Sequence, residues 1–230
     1  MAIPGHEQGS EEEPPSLAPP TLLREPPVTP RGTRTRASLI AAARTVFERM
    51  GYLDARLTDI TREANCATGS FYTYFSGKEE VFAAVLELAQ EDMMHPGMDR
   101  VADTDDPHAV LEASNRAYLR AYRRNAKLMG LLEQVAQIDP QFRTLRTRRG
   151  EAFIQRNARG IADLQARGLA DAGIDPVVAS RALSGMVSRM AYGAFVLGDQ
   201  PDGQDSEAFE HLVGAVSRLW ANALRFPDRG

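Results

Sequence analysis

An all-α fold is what this sequence predicts, and three observations predict it. Past the first thirty-odd residues, apolar side chains recur at intervals of three and four, and no credible alternating strand interrupts them. Asp106-Pro107 and Asp175-Pro176 each set a capping carboxylate before a proline at the first helical position. Ser76 and Glu79 have the spacing of a capping box. The expected architecture is an N-terminal three-helix domain over residues 31–77, joined to a larger helical domain over residues 78–230.

Residues 1–30 hold eight of the 14 prolines and the acidic run Glu11-Glu12-Glu13. Such a segment neither buries apolar surface nor propagates a helix, so a disordered tail is expected there. Arg31, Arg34 and Arg36 come next as a short basic arm ahead of the first helix. They suit either phosphate or minor-groove contact, or simply a solvated helix start. The first helix spans about residues 35–50, with Ile40, Ala43, Phe47 and Met50 on one face and Gly51 at the C′ position. Thr58 is the expected N-cap of a short second helix on which Ile60 and Ala64 stack. Asn65-Cys66-Ala67 breaks the pattern, and a third short helix runs from about Thr68 to Phe75. A fourth, from about Gly77 to Met94, is stopped by Pro96 and Gly97. Its Phe82, Val85, Leu86 and Ala89 are placed to bridge to the later helices.

Past residue 97, helices are expected from Pro107, from about Asn125 to Ile138, from Pro140 to about Leu169, from Pro176 to Leu197 and from about Ser206 to Arg225. Phe209, Leu212, Val213, Val216, Leu219, Trp220, Ala223 and Leu224 make the last of these apolar over a wide arc. That arc exceeds what one neighbouring helix covers, so the last two helices are expected to pair with a second subunit in a four-helix interface. The alternative is a monomer whose own core absorbs both faces.

The composition is that of an ordinary globular chain, with 43% hydrophobic and 25% charged residues. No apolar run approaches the roughly 20 residues that cross a bilayer, and the first residues show no signal-peptide h-region, so a cytoplasmic protein without membrane partners is expected. The single cysteine, Cys66, forms no intrachain disulfide; its place in the turn suits a buried apolar role. Net charge is −4, but it is unevenly distributed. Residues 31–78 carry eight basic and four acidic groups, while the segments on either side are acidic. Positive charge thus gathers around the short helices, where phosphate contact requires it.

The third short helix carries the functional signal. At about 100° per residue, Phe71 and Phe75 share one side and are the buried pair. Gly69, Ser70 and Thr73 lie opposite, with Tyr72 and Tyr74 on the flanks. Small and hydroxylated residues suit approach to base edges in a major groove, and flanking phenols reach phosphates on its walls. Lys78 adds a cation past the helix end.

These residues resemble the TetR family of one-component transcriptional regulators. The likeness is carried by a basic first helix with FERMGY, then by LTDITREANCATGSFYTYFSGKEEVFAAVL, over about residues 34–90. It implies an N-terminal helix-turn-helix DNA-binding domain and a larger C-terminal ligand-binding and dimerisation domain. Carried over by position, it implies DNA contacts at Thr58, Ala67, Thr68, Gly69, Ser70, Tyr72, Thr73, Tyr74 and Lys78, beside the Arg34 and Arg36 of the basic arm. Asn65 replaces the usual turn glycine, and asparagine tolerates the left-handed region. Ala67 replaces a frequent capping serine, leaving Thr68 to cap the helix or the cap missing. The resemblance further implies a homodimer on a palindromic double-stranded operator, most simply a repressor, released when a small apolar or amphipathic effector binds the C-terminal domain.

Inward-facing groups of mixed character, Tyr118, Tyr122, Met129, Phe153, Asn157, Met186 and Met190, are the candidate lining of an effector pocket. Enzyme chemistry has no support: there is no phosphate loop, nucleophile elbow or HExxH, and His6, His95, His108 and His211 are scattered. No catalytic residue, cofactor or metal site is expected. The remaining rival is a helical protein-interaction module without sequence-specific DNA binding.

Overall fold

The computed structural model describes residues 25, 27–94, 106–198 and 207–227. Among them are nine α-helices and no strand. Residues 1–24, the greater part of the expected tail, and Pro96 and Gly97 lie outside this set.

Thr29 opens α1 (Pro30–Met50), its hydroxyl accepting from the Gly32 N–H at 3.1 Å. Pro30 takes the first turn, where its missing donor costs nothing. The helix therefore begins well before residue 35. Arg31, Arg34 and Arg36 ride on α1 and form no arm ahead of it, and the boundary drawn at residue 30 falls inside an ordered cap. At the other end Gly51, at φ +82°, donates to Phe47 O at 2.9 Å, as a C′ glycine does.

α2 (Leu57–Glu63) is entered from Arg56, whose N–H donates to the Asp59 carboxylate at 3.2 Å. The N-cap position expected of Thr58 falls to Arg56, and Thr58 sits one residue inside the helix with its side chain exposed. Asn65 makes the turn at φ +50°, as its tolerance of that region predicts. α3 (Thr68–Tyr74) starts from Ala67, which provides no side-chain cap.

α4 (Lys78–Met94) begins past the expected capping box. The Ser76 N–H donates to Glu80 at 2.6 Å, because Glu79 is turned toward the Tyr52 hydroxyl at 3.4 Å. On α4, Phe82 meets Phe47 of α1 edge-on at 5.2 Å between centroids and Tyr52 at 4.8 Å. The core that closes the three-helix domain thus extends onto α4.

The larger part comprises α5 (Pro107–Arg124), α6 (Ala126–Ile138), α7 (Pro140–Ala166), α8 (Pro176–Phe195) and α9 (Glu207–Ala223). Asp106, Asp139 and Asp175 cap the three proline-led helices, accepting from His108, Gln141 and Val178 N–H at 2.8–2.9 Å. α7 lies between α6 and α8, and α9 packs along α5. α6 approaches the end of α8 so closely that a Cβ on Gly130 would stand 2.9 Å from Val196 Cγ1. Near its far end α4 is clasped by the α5–α6 junction, where Arg124 and the buried Asn125 both donate to Asp92 at 2.7 Å.

The wide apolar arc of α9 is largely absorbed by its own chain. Phe209, Leu212, Val213, Val216, Trp220 and Leu224 are all buried, and Leu219 and Ala223 stay exposed. The width of that arc alone therefore does not require a second subunit.

Candidate DNA-contacting face and ligand cavity

α3 is too short to hold itself together in water, so its outward face depends on its inward one. Phe71 and Phe75 are fully buried with centroids 5.5 Å apart, and the Arg36 guanidinium of α1 covers the Phe75 ring at 5.3 Å. That anchorage leaves Ala67, Thr68, Gly69, Tyr72 and Thr73 exposed, with Ser70 and Tyr74 half-buried at the margins. A Cβ added at Gly69 would meet nothing within 4 Å. Thr58, near the start of α2, is exposed as well.

The basic groups divide by occupation. Arg44 pairs with Glu48, Arg49 with Glu63 and Arg62 with Asp59. Arg31, Arg34 and Arg56 are exposed and carry no ion pair among the described residues. Lys78 is engaged inward. Its ammonium donates to the carbonyls of Tyr52, Leu53 and Ala55 at 2.9, 3.2 and 3.3 Å and lies 4.6 Å from the Tyr52 ring centre. An ammonium has three donors, so here they close the α1–α2 loop over the start of α4. The cation expected to contact phosphate at this position thus holds the loop in the free chain.

In the larger part, α5, α6, α7, α8 and α9 enclose a cavity of about 830 Å³, within the roughly 300–1,000 Å³ of small-molecule sites. Of the candidate pocket residues, Tyr118, Tyr122, Met129, Phe153 and Asn157 line it. Met186 and Met190 do not. The cavity side of α8 is Ser184, Val187 and Ser188, and the helical rotation carries the methionines away, Met190 reaching 36% exposure. Polar groups fix parts of the wall: Asn157 donates to Ser184 at 3.0 Å and Asn115 to Ser217 at 3.1 Å. Burial raises the pKa of both Tyr118 and Tyr122, so both remain neutral phenols at physiological pH.

Sequence reasoning missed Arg149. It lines the cavity at 8% exposure, its Nη2 stands 3.6 Å from Met93 Sδ on α4, and its guanidinium carbon lies 4.9 Å from the centre of the Phe153 ring. Desolvation lowers its pKa, against the smaller opposing effect of Tyr118 and Tyr122. Nothing in the sequence separates it from its neighbours Arg143, Arg146 and Arg148, which are exposed. Cys66 is half-buried against the core, and burial pushes its thiol pKa up, away from redox reactivity.

The described residues contain no group of three or more His, Cys, Asp or Glu placed to hold a metal. None of the described helices is long and apolar enough to cross a membrane.

Fold and site together define a class: a helix-turn-helix domain fused to a helical body that encloses a ligand-sized cavity. Residues 39–85 match the family model described as bacterial regulatory proteins, tetR family. An HTH-type transcriptional regulator of Bacillus subtilis, YfiR, itself uncharacterised, is 30% identical over 86 residues, which are 37% of this chain and 40% of that relative's length. A TetR-family crystal structure from Mesorhizobium loti superposes with TM-score 0.64 at 20% identity, over 85% of this chain and 98% of that one. The SmeT–triclosan complex does so with TM-score 0.63 at 19% identity, over 83% and 91%. The match is to the N-terminal domain of the tetR family, and the relatives and neighbours this chain resembles are transcriptional regulators, not enzymes. The structural matches bear on the fold.

Proposed function

We propose that this protein is a cytoplasmic ligand-responsive transcriptional regulator, most simply a repressor, that binds a palindromic operator as a homodimer. One observation carries the proposal: Phe71 and Phe75 pin α3 so that Thr68, Gly69, Tyr72 and Thr73 face outward together. Set into a major groove, that face brings small groups to base edges, while Tyr72 and the exposed Arg31, Arg34 and Arg56 reach backbone phosphates. Thr58, Ala67, Ser70 and Tyr74 border the same surface and complete the contact set. Arg36 and Lys78 support it from behind.

The dimer reading draws on α8 and α9. Val178, Ala182, Met186, Met190 and Gly193 succeed one another at helical spacing on α8, with Leu197 just past its end, and all are exposed or half-buried. Leu219 and Ala223 add apolar surface on α9. A two-fold pairing of these faces sets two α3 helices about 34–36 Å apart for adjacent half-sites.

The effector reading rests on the cavity and on its contact with α4. A ligand that prefers the non-operator arrangement by about 3 kcal/mol lowers DNA affinity roughly a hundredfold. The solved neighbour bound to triclosan is a precedent for this fold holding a small apolar molecule.

Genomic footprinting with the purified protein tests the whole. Inverted-repeat sites, lost in the presence of an extracted or supplied small molecule, are the expected result. Uniform, sequence-independent retention of DNA would contradict it and favour a protein-interaction module.

A further inference from the structure

The cavity wall has an unusual polar balance. Two buried side-chain polar atoms lack a partner among the described residues, Arg149 Nε and Trp220 Nε1, and both side chains line this one cavity. Both atoms are N–H donors. What completes them must bring acceptors.

Charge sharpens the requirement. The acids around the cavity are already matched at its rim, Glu133 with Arg146, Asp163 with Arg167, and Glu151 with Arg181. Arg149 stands deeper, more than nine-tenths buried. Its neighbours are a thioether, an aromatic face and two neutral phenols, none of which carries negative charge. A buried cation without an anion is expensive, so such a position is held where a ligand supplies the anion. Leu111, Met129, Leu132 and Ile161 give the rest of the chamber an apolar surface.

We propose that the cavity binds an amphipathic organic carboxylate, with Arg149 holding the carboxylate and the apolar wall holding the body. This rests on the effector-pocket reading above and names the chemical class of the effector. A guanidinium offers a planar fork matched to two carboxylate oxygens, whereas an alcohol or ester of the same body presents neither the charge nor the second acceptor.

Calorimetric titration of the full chain without DNA tests this with two matched pairs, decanoate against decanol and 1-naphthylacetate against 1-naphthaleneethanol. The acid is expected to bind about tenfold or more tightly than its alcohol in at least one pair. Arg149→Met is expected to erase that preference while leaving the alcohol's affinity unchanged, and Arg149→Lys to keep part of it. Melting curves verify that both variants fold; should Arg149→Met fail to fold, the native pairs and Arg149→Lys still decide. Equal affinity for acid and alcohol in both pairs, no binding of either acid, or a preference that survives Arg149→Met would overturn the proposal. Operator retention is read separately. A bound acid that leaves operator affinity unchanged would support the site and remove the effector role, whereas release by the alcohols alone would do the reverse.

Discussion

Phe82 on α4 meets Phe142 on α7 with ring centroids 5.4 Å apart, and both rings are fully buried. Phe82 also packs on Phe47 of α1, so a continuous aromatic contact joins the domain that carries α3 to the helix that carries Arg149 and Phe153. Phe82→Ala opens a cavity at this junction and is expected to cost about 3–5 kcal/mol. Phe82→Leu, a milder loss of volume, is expected to leave the fold intact and to weaken the effect of ligand on operator affinity more than it weakens operator affinity itself. Chemical denaturation reads the first effect, and DNA titration with and without ligand reads the second.

Lys78 and Arg34 are expected to separate cleanly. Lys78→Met removes three hydrogen bonds to loop carbonyls and should lower the melting temperature, with little change in the salt dependence of DNA binding. Arg34→Ala should leave stability unchanged and reduce the salt slope by about two, one phosphate contact per subunit of the dimer. The opposite pattern would return Lys78 to the phosphate backbone.

At the proposed subunit interface, Met190→Glu combined with Leu219→Glu places like charges across a two-fold axis on side chains that are exposed in the monomer. Light scattering should then report monomers of undiminished helicity that bind operator far more weakly than the native protein.

The clasp on α4 is sensitive to pH. Hydrogen bonding from Arg124 holds the Asp92 carboxyl below its usual range, with Asn125 adding to it. A depressed carboxylate contributes stability that is fully present above its unfolded pKa of about 4 and is lost as pH falls below it. Asp92 and Arg124 are 38% and 49% exposed, so solvent screening keeps the effect below about 1 kcal/mol. Melting temperatures of Asp92→Asn and native protein should differ at pH 7 and draw together as pH falls below the usual carboxylate range.

How much of this was legible in the sequence depended on where the partners lie. The Asp-Pro caps, the α3 face and the Asn65 turn were readable because residue and partner sit within one helical turn of each other. The start of α1 is not legible, because Thr29-Pro30 closes a proline-rich segment and the next residues lack apolar periodicity. The inward engagement of Lys78 is not legible, because its acceptors lie 23–26 residues upstream, in a loop that only tertiary packing brings back. The place of Arg149 is hidden for the same reason, and residue type alone points Met186 and Met190 inward where the rotation of α8 does not.

The most direct measurement concerns Gly69. Its Cβ position opens onto empty space, so Gly69→Leu is expected to fold and melt like the native protein. A leucine there would nevertheless stand between α3 and the groove floor. Fluorescence anisotropy on the footprinted operator should show a loss of about a hundredfold, the worth of two base contacts. A correctly folded Gly69→Leu protein that binds that operator as tightly as native would place the DNA elsewhere and contradict the account.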